Sequence, residues 1–326
     1  MQSLPASAWP SLSRGGEDAG PVESVQVGLA SLSPDCVIVI PVYAEHLSTS
    51  ERSALRVCLS RIQGNALVLL HKRSIDMPAF LDRLELGISL DESRGILALA
   101  IEDSWLASID TYNAMLLQPW FYRLFSEWDY LLIYQLDAWI LRDDLDEWLN
   151  KGYTYIGAPW TGHLGPDTPD IGVGNGGFSL RNVSEMIRIC ESSLWRWMPV
   201  FRWRKLAYRM TLFRRYSLFP WQQRPLLFAK RLLLFLAMSF GWHNTLDYYA
   251  KIGTQEDHLW SLFAPCVFGW MRIPSMAEAA AFAVETNPRQ TFAAYGVCRP
   301  LGCHAWEKHD REFWTTTFPH EFDVAR

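Results

Sequence analysis

DYLLIYQLDAW, Asp129 to Trp139, is an apolar run that stops abruptly at Gln135 and Asp137. From Tyr130 to Leu136 it holds one amide and otherwise only Leu, Ile and Tyr, the composition of a strand buried on both faces of a parallel sheet. A carboxylate then stands where that strand should emerge. In open α/β sheets ligands bind beyond the carboxyl ends of the strands, so Asp137 is expected at the mouth of a site that handles metal or phosphate. Gln135 and Asp137 are two residues apart and share a face of an extended chain. The plain alternative is an Asp that caps the turn or helix between Asp143 and Asn150.

Strands and helices alternate on either side of this run. CVIVIPVYAEH, from Cys36, reads as a strand over Val37–Pro41 followed by Tyr43 and Glu45. A helix is expected from Ser48 to Gln63, with Thr49 or Ser50 as its cap and Leu55, Leu59 and Ile62 on one stripe. Ala66–His71 is the next strand, which makes a βαβ unit. Ile96–Ile101 is a third strand. A helix over Asp110–Phe125 is interrupted at Pro119, which can open a second helix. After Asp137, RDDLDEWLNKG carries a helical turn that Gly152 can close. Tyr153–Trp160 reads as a strand, and a Gly/Pro/Asp-rich loop follows to Val173.

GNGGFSLR, Gly174 to Arg181, is the second informative stretch. Adjacent glycines after Asn175 permit positive φ and remove side chains that would keep a ligand off the backbone. Phe178–Arg181 then alternates as a strand with one buried face. An ordinary hairpin turn is the competing account. Further on, Thr254 can cap a helix running through Leu259 and Phe263, with Asp257 at its third position as in a capping box. Glu256 and Asp257 at that helix start are also candidates for a catalytic base. Ala277–Val284 is helical, and LGCHAWEKHDREFW, Leu301 to Trp314, carries His304, Glu307, His309 and Asp310.

Composition narrows the classes. The 326 residues can bury a large core in one or two domains, and 49% hydrophobic with 20% charged residues is ordinary globular usage. A net charge of -5 gives no reason to expect nucleic acid as a partner. The six cysteines are scattered without a Cys-x-x-Cys pair, which suits a reduced, cytoplasmic protein. Residues 1–34 lack a signal-like apolar core and read as a flexible tail. Between 191 and 245 ten Lys/Arg stand against one acid, Glu191, a local net of +9 in a chain whose remainder is -14. Its longest apolar run, Leu232–Phe240, is too short to cross a bilayer. Basic and aromatic residues at helical spacing fit an amphipathic insertion lying on an anionic, cytoplasmic-side membrane surface. A buried helical insertion whose arginines cover acidic neighbours is the alternative.

In order, VIVIPVYAE, YLLIYQLDAWIL, GYTYIGAPW, GNGGFSLR, QEDHLW and GCHAWEKHDREFW resemble an uncharacterised family of glycosyltransferase-like domains, itself similar to the GT-A glycosyltransferases. The likeness spans about Asp35 to Phe318 without most of 195–245. It implies an α/β fold with a nucleotide-sugar-binding, mixed and mainly parallel sheet flanked by helices. The donor part would be 35–190, the basic insertion 191–245, and the acceptor and catalytic part 246–326. By that resemblance QLD takes the place of the Asp-x-Asp motif, with Asp137 and His304 on the metal, Mn²⁺ or Mg²⁺. Gln135 replaces the first acid, and an amide oxygen can still ligate a hard cation. Pro41, Tyr43, Glu45, Trp160, Asn175, Gly176 and Gly177 fall where the nucleotide-sugar lies, and Asp257, with Glu256 second, where a base accepts the acceptor's proton. The implied activity is sugar transfer from a nucleotide-sugar donor to a glycan or lipid-linked acceptor. A non-catalytic glycan- or membrane-binding fold and a nucleotidyl- or phosphotransferase are the alternatives.

Overall fold

The computed structural model describes residues 35–322 apart from 63, 85, 87–89, 91–94, 163–171, 195–245, 247, 248, 251, 252 and 254. The expected N-terminal tail, nearly all of the basic insertion and the cap at Thr254 lie outside the described residues.

The run at Asp129–Leu136 forms strand β4, Tyr130–Tyr134, with all five side chains buried. It pairs in parallel with β1, Cys36–Val42. β1 pairs in parallel with β2, Ala66–Lys72, and β2 with β3, Ile96–Ile101. On its other side β4 is antiparallel to β7, Phe178–Asn182, which is antiparallel to β6, Tyr155–Gly157. The result is the expected mixed, mainly parallel sheet, six strands in the order β3-β2-β1-β4-β7-β6. Alternate residues of β1 feed two cores. Ile38, Ile40 and Val42 pack with Ala54, Leu55 and Phe80 on one face, whereas Val37 and Val39 pack with Met115, Phe121 and Met186 on the other.

Local chemistry sets the helices. α1, Thr49–Arg61, is capped by Ser48, not by Thr49 or Ser50, because Glu51 completes a reciprocal box with the Ser48 backbone and hydroxyl. α2, Met77–Leu84, was not expected from the sequence and buries Met77, Phe80, Leu81 and Leu84. The Asp110–Phe125 helix is two: α3, Ile109–Met115, capped by Ser108, and α4, Pro119–Arg123, with Pro119 in its first turn. α5, Leu145–Lys151, ends on Gly152 at φ 66°, and α6, Val183–Cys190, follows β7 directly under an Asn182 cap.

Three expectations are corrected. The Tyr153–Trp160 strand shrinks to three residues, because the Ala158 carbonyl accepts from Gly174 and Asn175 and Pro159 bridges Val173. Phe178–Arg181 is buried on both faces, Ser179 and Arg181 fully so, since β7 lies inside the sheet between β4 and β6. The helix expected over Ala277–Val284 ends at Phe282. It covers Met276–Phe282, and then β8, Ala283–Val284, and β9, Gly302–Cys303, join β5, Trp139–Ile140, in a second sheet ordered β5-β9-β8. A helix over Arg311–Thr317 buries Phe313 and Trp314 against the core containing β1.

Strand order reverses between β1 and β4, the position at which an open sheet offers a crevice. The β1–β4 register ends at Val39 opposite Ile133, whereas β1 stays paired with β2 as far as Val42 opposite His71. The two central strands therefore part before their carboxyl ends. Pro41, which has no N–H to offer a second neighbour, lies in this half-paired stretch opposite Leu70 and is buried. It shapes the crevice from within the sheet.

The Tyr134 hydroxyl holds β4 to the turn that carries Asp137. It lies 2.9 Å from the Ala54 carbonyl and 3.0 Å from that of Ala138, fully buried. Tyr134→Phe removes the one donor at this junction, and a loss of about 0.5–1.5 kcal/mol is expected in urea unfolding; an unchanged midpoint would show that the hydroxyl does not anchor the turn.

Candidate functional site

Past the end of β4, the Gln135 N–H is held by the Gly177 carbonyl at 2.9 Å, and the Ala138 N–H closes on the Gln135 carbonyl at 2.9 Å. This turn delivers Gln135 and Asp137 to the carboxyl edge. β8 and β9 run parallel, so the residues following them, Glu285 and His304, leave the small sheet side by side. His304 meets the turn. Its Nε2 is 3.1 Å from Asp137 Oδ1 and 3.1 Å from Gln135 Oε1, and its Nδ1 is 3.1 Å from Glu285 Oε1. The Asp137 side chain is 55% exposed and that of His304 9%, so the cluster opens toward solvent on the Asp137 side.

Charge balance follows from these contacts. Burial alone would lower the His304 pKa, but the Asp137 and Glu285 carboxylates overcome it and hold the imidazole up to about 10. Burial would raise Asp137, and the His304 bond and charge more than offset that, leaving it below the usual range.

The GNGG turn forms the wall between this cluster and a second one. Asn175 Oδ1 accepts the Gly177 N–H at 2.9 Å. Neither Gly176 nor Gly177 has positive φ, so their use is space and not backbone freedom. A Cβ on Gly177 would stand 2.0 Å from His304 Nε2, and one on Gly176 2.8 Å from Glu256 Oε1. Behind Gly176, Arg181 is fully buried and pairs with Glu256 at 2.6 Å. It also donates to Tyr122 at 3.0 Å and to Ser179 at 3.1 Å, and its Nη2 reaches the Gly176 carbonyl at 3.4 Å.

Asp257 has a different environment from Glu256. Its carboxylate accepts the Gly176 N–H at 3.1 Å and the His258 N–H at 2.7 Å. It is not half of a capping box: Gln255 is the N-cap and makes no side-chain cap bond. The helix of Glu256–His258 passes at once into a π-helical turn, Leu259–Phe263, a distortion frequent near functional sites. Burial first, then Glu256 and Glu285, push the Asp257 pKa well above the usual carboxylate range, against the pull of the two N–H groups.

The fold thus brings Gln135, Asp137, Gly177 and His304 into contact, with Asp257 and Glu256 across Gly176. Tyr43 is 39% exposed just beyond β1, edge-on to Tyr112 with ring centroids 5.7 Å apart. Trp160 is 2% exposed and lies edge-on to His258 at 4.6 Å, so it supports the Asp257 helix from below. Glu45 is exposed, its carbonyl accepting from Arg83 at 3.3 Å. Two participants were missed in the sequence. Glu285 follows a strand of only two residues, and Arg181 gave no sign that it would be buried.

Among the described residues no three His, Cys, Asp or Glu side chains form a metal-binding group. A metal held here would take its third protein ligand atom from the Gln135 amide. Neighbouring ligand atoms about 2.1 Å from an octahedral ion stand roughly 3.0 Å apart, a spacing that the two 3.1 Å separations at His304 Nε2 match and that hydrogen bonds share. Glu285 backs the other ring nitrogen, as carboxylates behind metal-binding histidines do.

A family profile described as "Protein of unknown function (DUF5672)" matches residues 96–304, from the start of β3 to His304 itself. The chain belongs to the DUF5672 family. No curated protein sequence matches it. Among solved structures, the mannosyltransferase Ktr4p from S. cerevisiae in complex with GDP aligns at 10% identity over 44% of each chain, with a TM-score of 0.28. Mouse xyloside xylosyltransferase 1 in its apo form aligns at 11% identity over 83% of this chain and 96% of that one, with a TM-score of 0.35. At those TM-scores neither likeness carries an argument. The DUF5672 match takes in Gln135, Asp137, the GNGG turn, both helix-start acids, Glu285 and His304, but stops short of Lys308.

Asp257→Asn removes a carboxylate whose ionisation the fold opposes. An acid with a raised folded-state pKa favours folding most below its unfolded pKa and loses that contribution as pH rises through the folded value. The variant should therefore melt above wild type at about pH 8, with the gap closing toward about pH 3. A gap that does not change with pH would rule out the opposed ionisation.

Proposed function

We propose that this DUF5672 protein is a glycosyltransferase that moves a sugar from a nucleotide-sugar donor to a glycan or lipid-linked acceptor. Supporting this above all is the approach of His304 Nε2 to Asp137 Oδ1 and Gln135 Oε1, each at 3.1 Å, at the sheet's switch point. The order and chemistry of the motifs, which resemble those of GT-A enzymes, support the same reading. Asp137, His304 and Gln135 would hold Mn²⁺ or Mg²⁺, which when bound neutralises charge on a departing diphosphate.

The chain's own groups do the rest. Tyr43, past β1, borders the nucleotide side of the crevice. The Gly176–Gly177 backbone gives the sugar an approach free of side chains. Asp257, its carboxylate aimed by two backbone N–H groups and its pKa raised by burial and by the neighbouring acids, takes the proton of the acceptor hydroxyl as that oxygen bonds the anomeric carbon and the sugar–diphosphate bond breaks. Glu256 is committed to Arg181 and keeps the turn in place.

One observation favours a second reading. Without an ion, a protonated His304 bridges Asp137 and Glu285 and offsets one of their two negative charges, an arrangement that suits a non-catalytic glycan-binding fold. Nucleoside diphosphate titrated with Mn²⁺, followed by thermal shift, separates the two. Wild type should bind, and Asp137→Ala and His304→Ala should each weaken binding at least about tenfold, ~1.4 kcal/mol. Asp257→Ala should keep binding and lose about 10²–10⁴ in turnover. No metal-dependent shift with any nucleoside diphosphate would remove the transferase reading.

Among the described residues no helix is long and apolar enough to cross a membrane. The basic 191–245 stretch instead would dock the enzyme on an anionic surface, where each basic residue contributes about 1 kcal/mol. Deleting 200–240 should release the protein from phosphatidylserine vesicles at physiological salt, and equal binding by the deletion variant would refute the docking.

A further inference from the structure

Beyond Glu285 and His304, the two chains leaving the parallel β8–β9 edge wall a cavity of about 370 Å³ lined by residues 287–290 and 308–310. Its size falls within the ~300–1,000 Å³ of small-ligand sites. Asn287 at φ 48° and Asp310 at φ 65° are in its walls, and Ala305 at φ 47° follows His304; these are the non-glycine residues of positive φ among the described residues. Such conformations persist only where surrounding structure enforces them, and they gather at ligand clamps. Here the enforcing bonds are visible. Asn287 Nδ2 donates to the Thr161 carbonyl at 2.7 Å, and Asp310 takes Arg289 at 2.6 Å and the Phe313 N–H at 3.0 Å.

The lining decides the ligand class. Arg289 and Asp310 neutralise each other, and Lys308, exposed at the rim and close enough to act on Asp137, makes no ion pair among the described residues, so the positive charge of the lining itself is that of Lys308. Amides at Asn287 and Gln290 and the imidazole of His309 supply both donors and acceptors. Pro288 is the sole apolar side chain in the lining, which gives neither a lipid tail nor a nucleobase a surface. The cavity adjoins the candidate metal position without sharing its ligand atoms: His304 Nε2 faces Asp137 and Gln135, its Nδ1 faces Glu285, and Glu285 lies 4.0 Å from His309 in the cavity lining.

We propose that this cavity is a saccharide subsite selective for an anionic sugar, one bearing a carboxylate or sulfate, held by Lys308 and by the Asn287 and Gln290 amides. Its sugar class and its assignment to the acceptor rest on the transferase reading; its preference for an anion rests on the lining alone. The test is therefore run on the full chain without metal or nucleotide, by calorimetric titration with a glucuronate-terminated disaccharide and its neutral glucose-terminated counterpart. Wild type should prefer the acidic sugar at least tenfold. Lys308→Gln, an exposed substitution, should abolish that preference with an unchanged melting temperature. Equal affinity for the two sugars, no binding of either, or a preference that survives Lys308→Gln overturns the proposal. Displacement of the acidic sugar by a metal-free nucleoside diphosphate also overturns it, because the cavity would then belong to the donor.

Discussion

The missing side chain at position 177 governs the geometry of the Gln135–Asp137–His304 cluster. His304 Nε2 occupies the space in which a Cβ would stand at 2.0 Å, so the imidazole can lie flat against the backbone that also binds the Gln135 N–H. Any larger residue would displace either the histidine or the β4–β7 pairing, and the pairing continues directly through Phe178 to Asn182. Close approach of backbone to functional groups is a use of glycine separate from its conformational freedom. Here only the first is needed.

What holds the glycines in register is the buried Arg181. A guanidinium with no exposure would be severely penalised without partners, and it has Glu256, Tyr122, Ser179 and the Gly176 carbonyl. Glu256 and Asp257 are adjacent in the chain yet reach opposite ends of this arrangement. One faces a full positive charge and is spent on structure. The other sees only two peptide dipoles, with carboxylates nearby, and burial and those carboxylates raise its affinity for a proton. Divergent environments for neighbouring acids are how one site obtains different roles from the same functional group.

Most of the sheet was legible in the sequence because its strands are apolar runs bounded by turn residues. β1 to β4 differ from the expected spans by a residue or two, and Pro119 and Gly152 punctuated their helices as backbone chemistry demands. The second sheet was not legible. Its strands are two residues each, too short for any periodicity to register, and they are strands only because Trp139, Ala283 and Gly302 come from distant parts of the chain. Glu285 was missed for that reason. Asp137 and His304 could be proposed from motif order, whereas the burial of Arg181 could not, since an alternating pattern cannot distinguish a strand with one covered face from one with two.

Gln135 looks at first like a defect in an acidic motif, but the charges around it give it a purpose on the proposed reading. Asp137 and Glu285 already bring two negative charges to His304. A divalent ion with a neutral imidazole would balance those two charges, leaving a site able to meet a diphosphate without net repulsion. A third carboxylate at 135 would hold the ion more strongly and repel the donor more, in surroundings where burial makes each unit of charge count for more than in water. The amide keeps an oxygen at 3.1 Å from Nε2 while adding no charge, and its own N–H backbone bond to Gly177 ties that oxygen to the same turn that fits the imidazole.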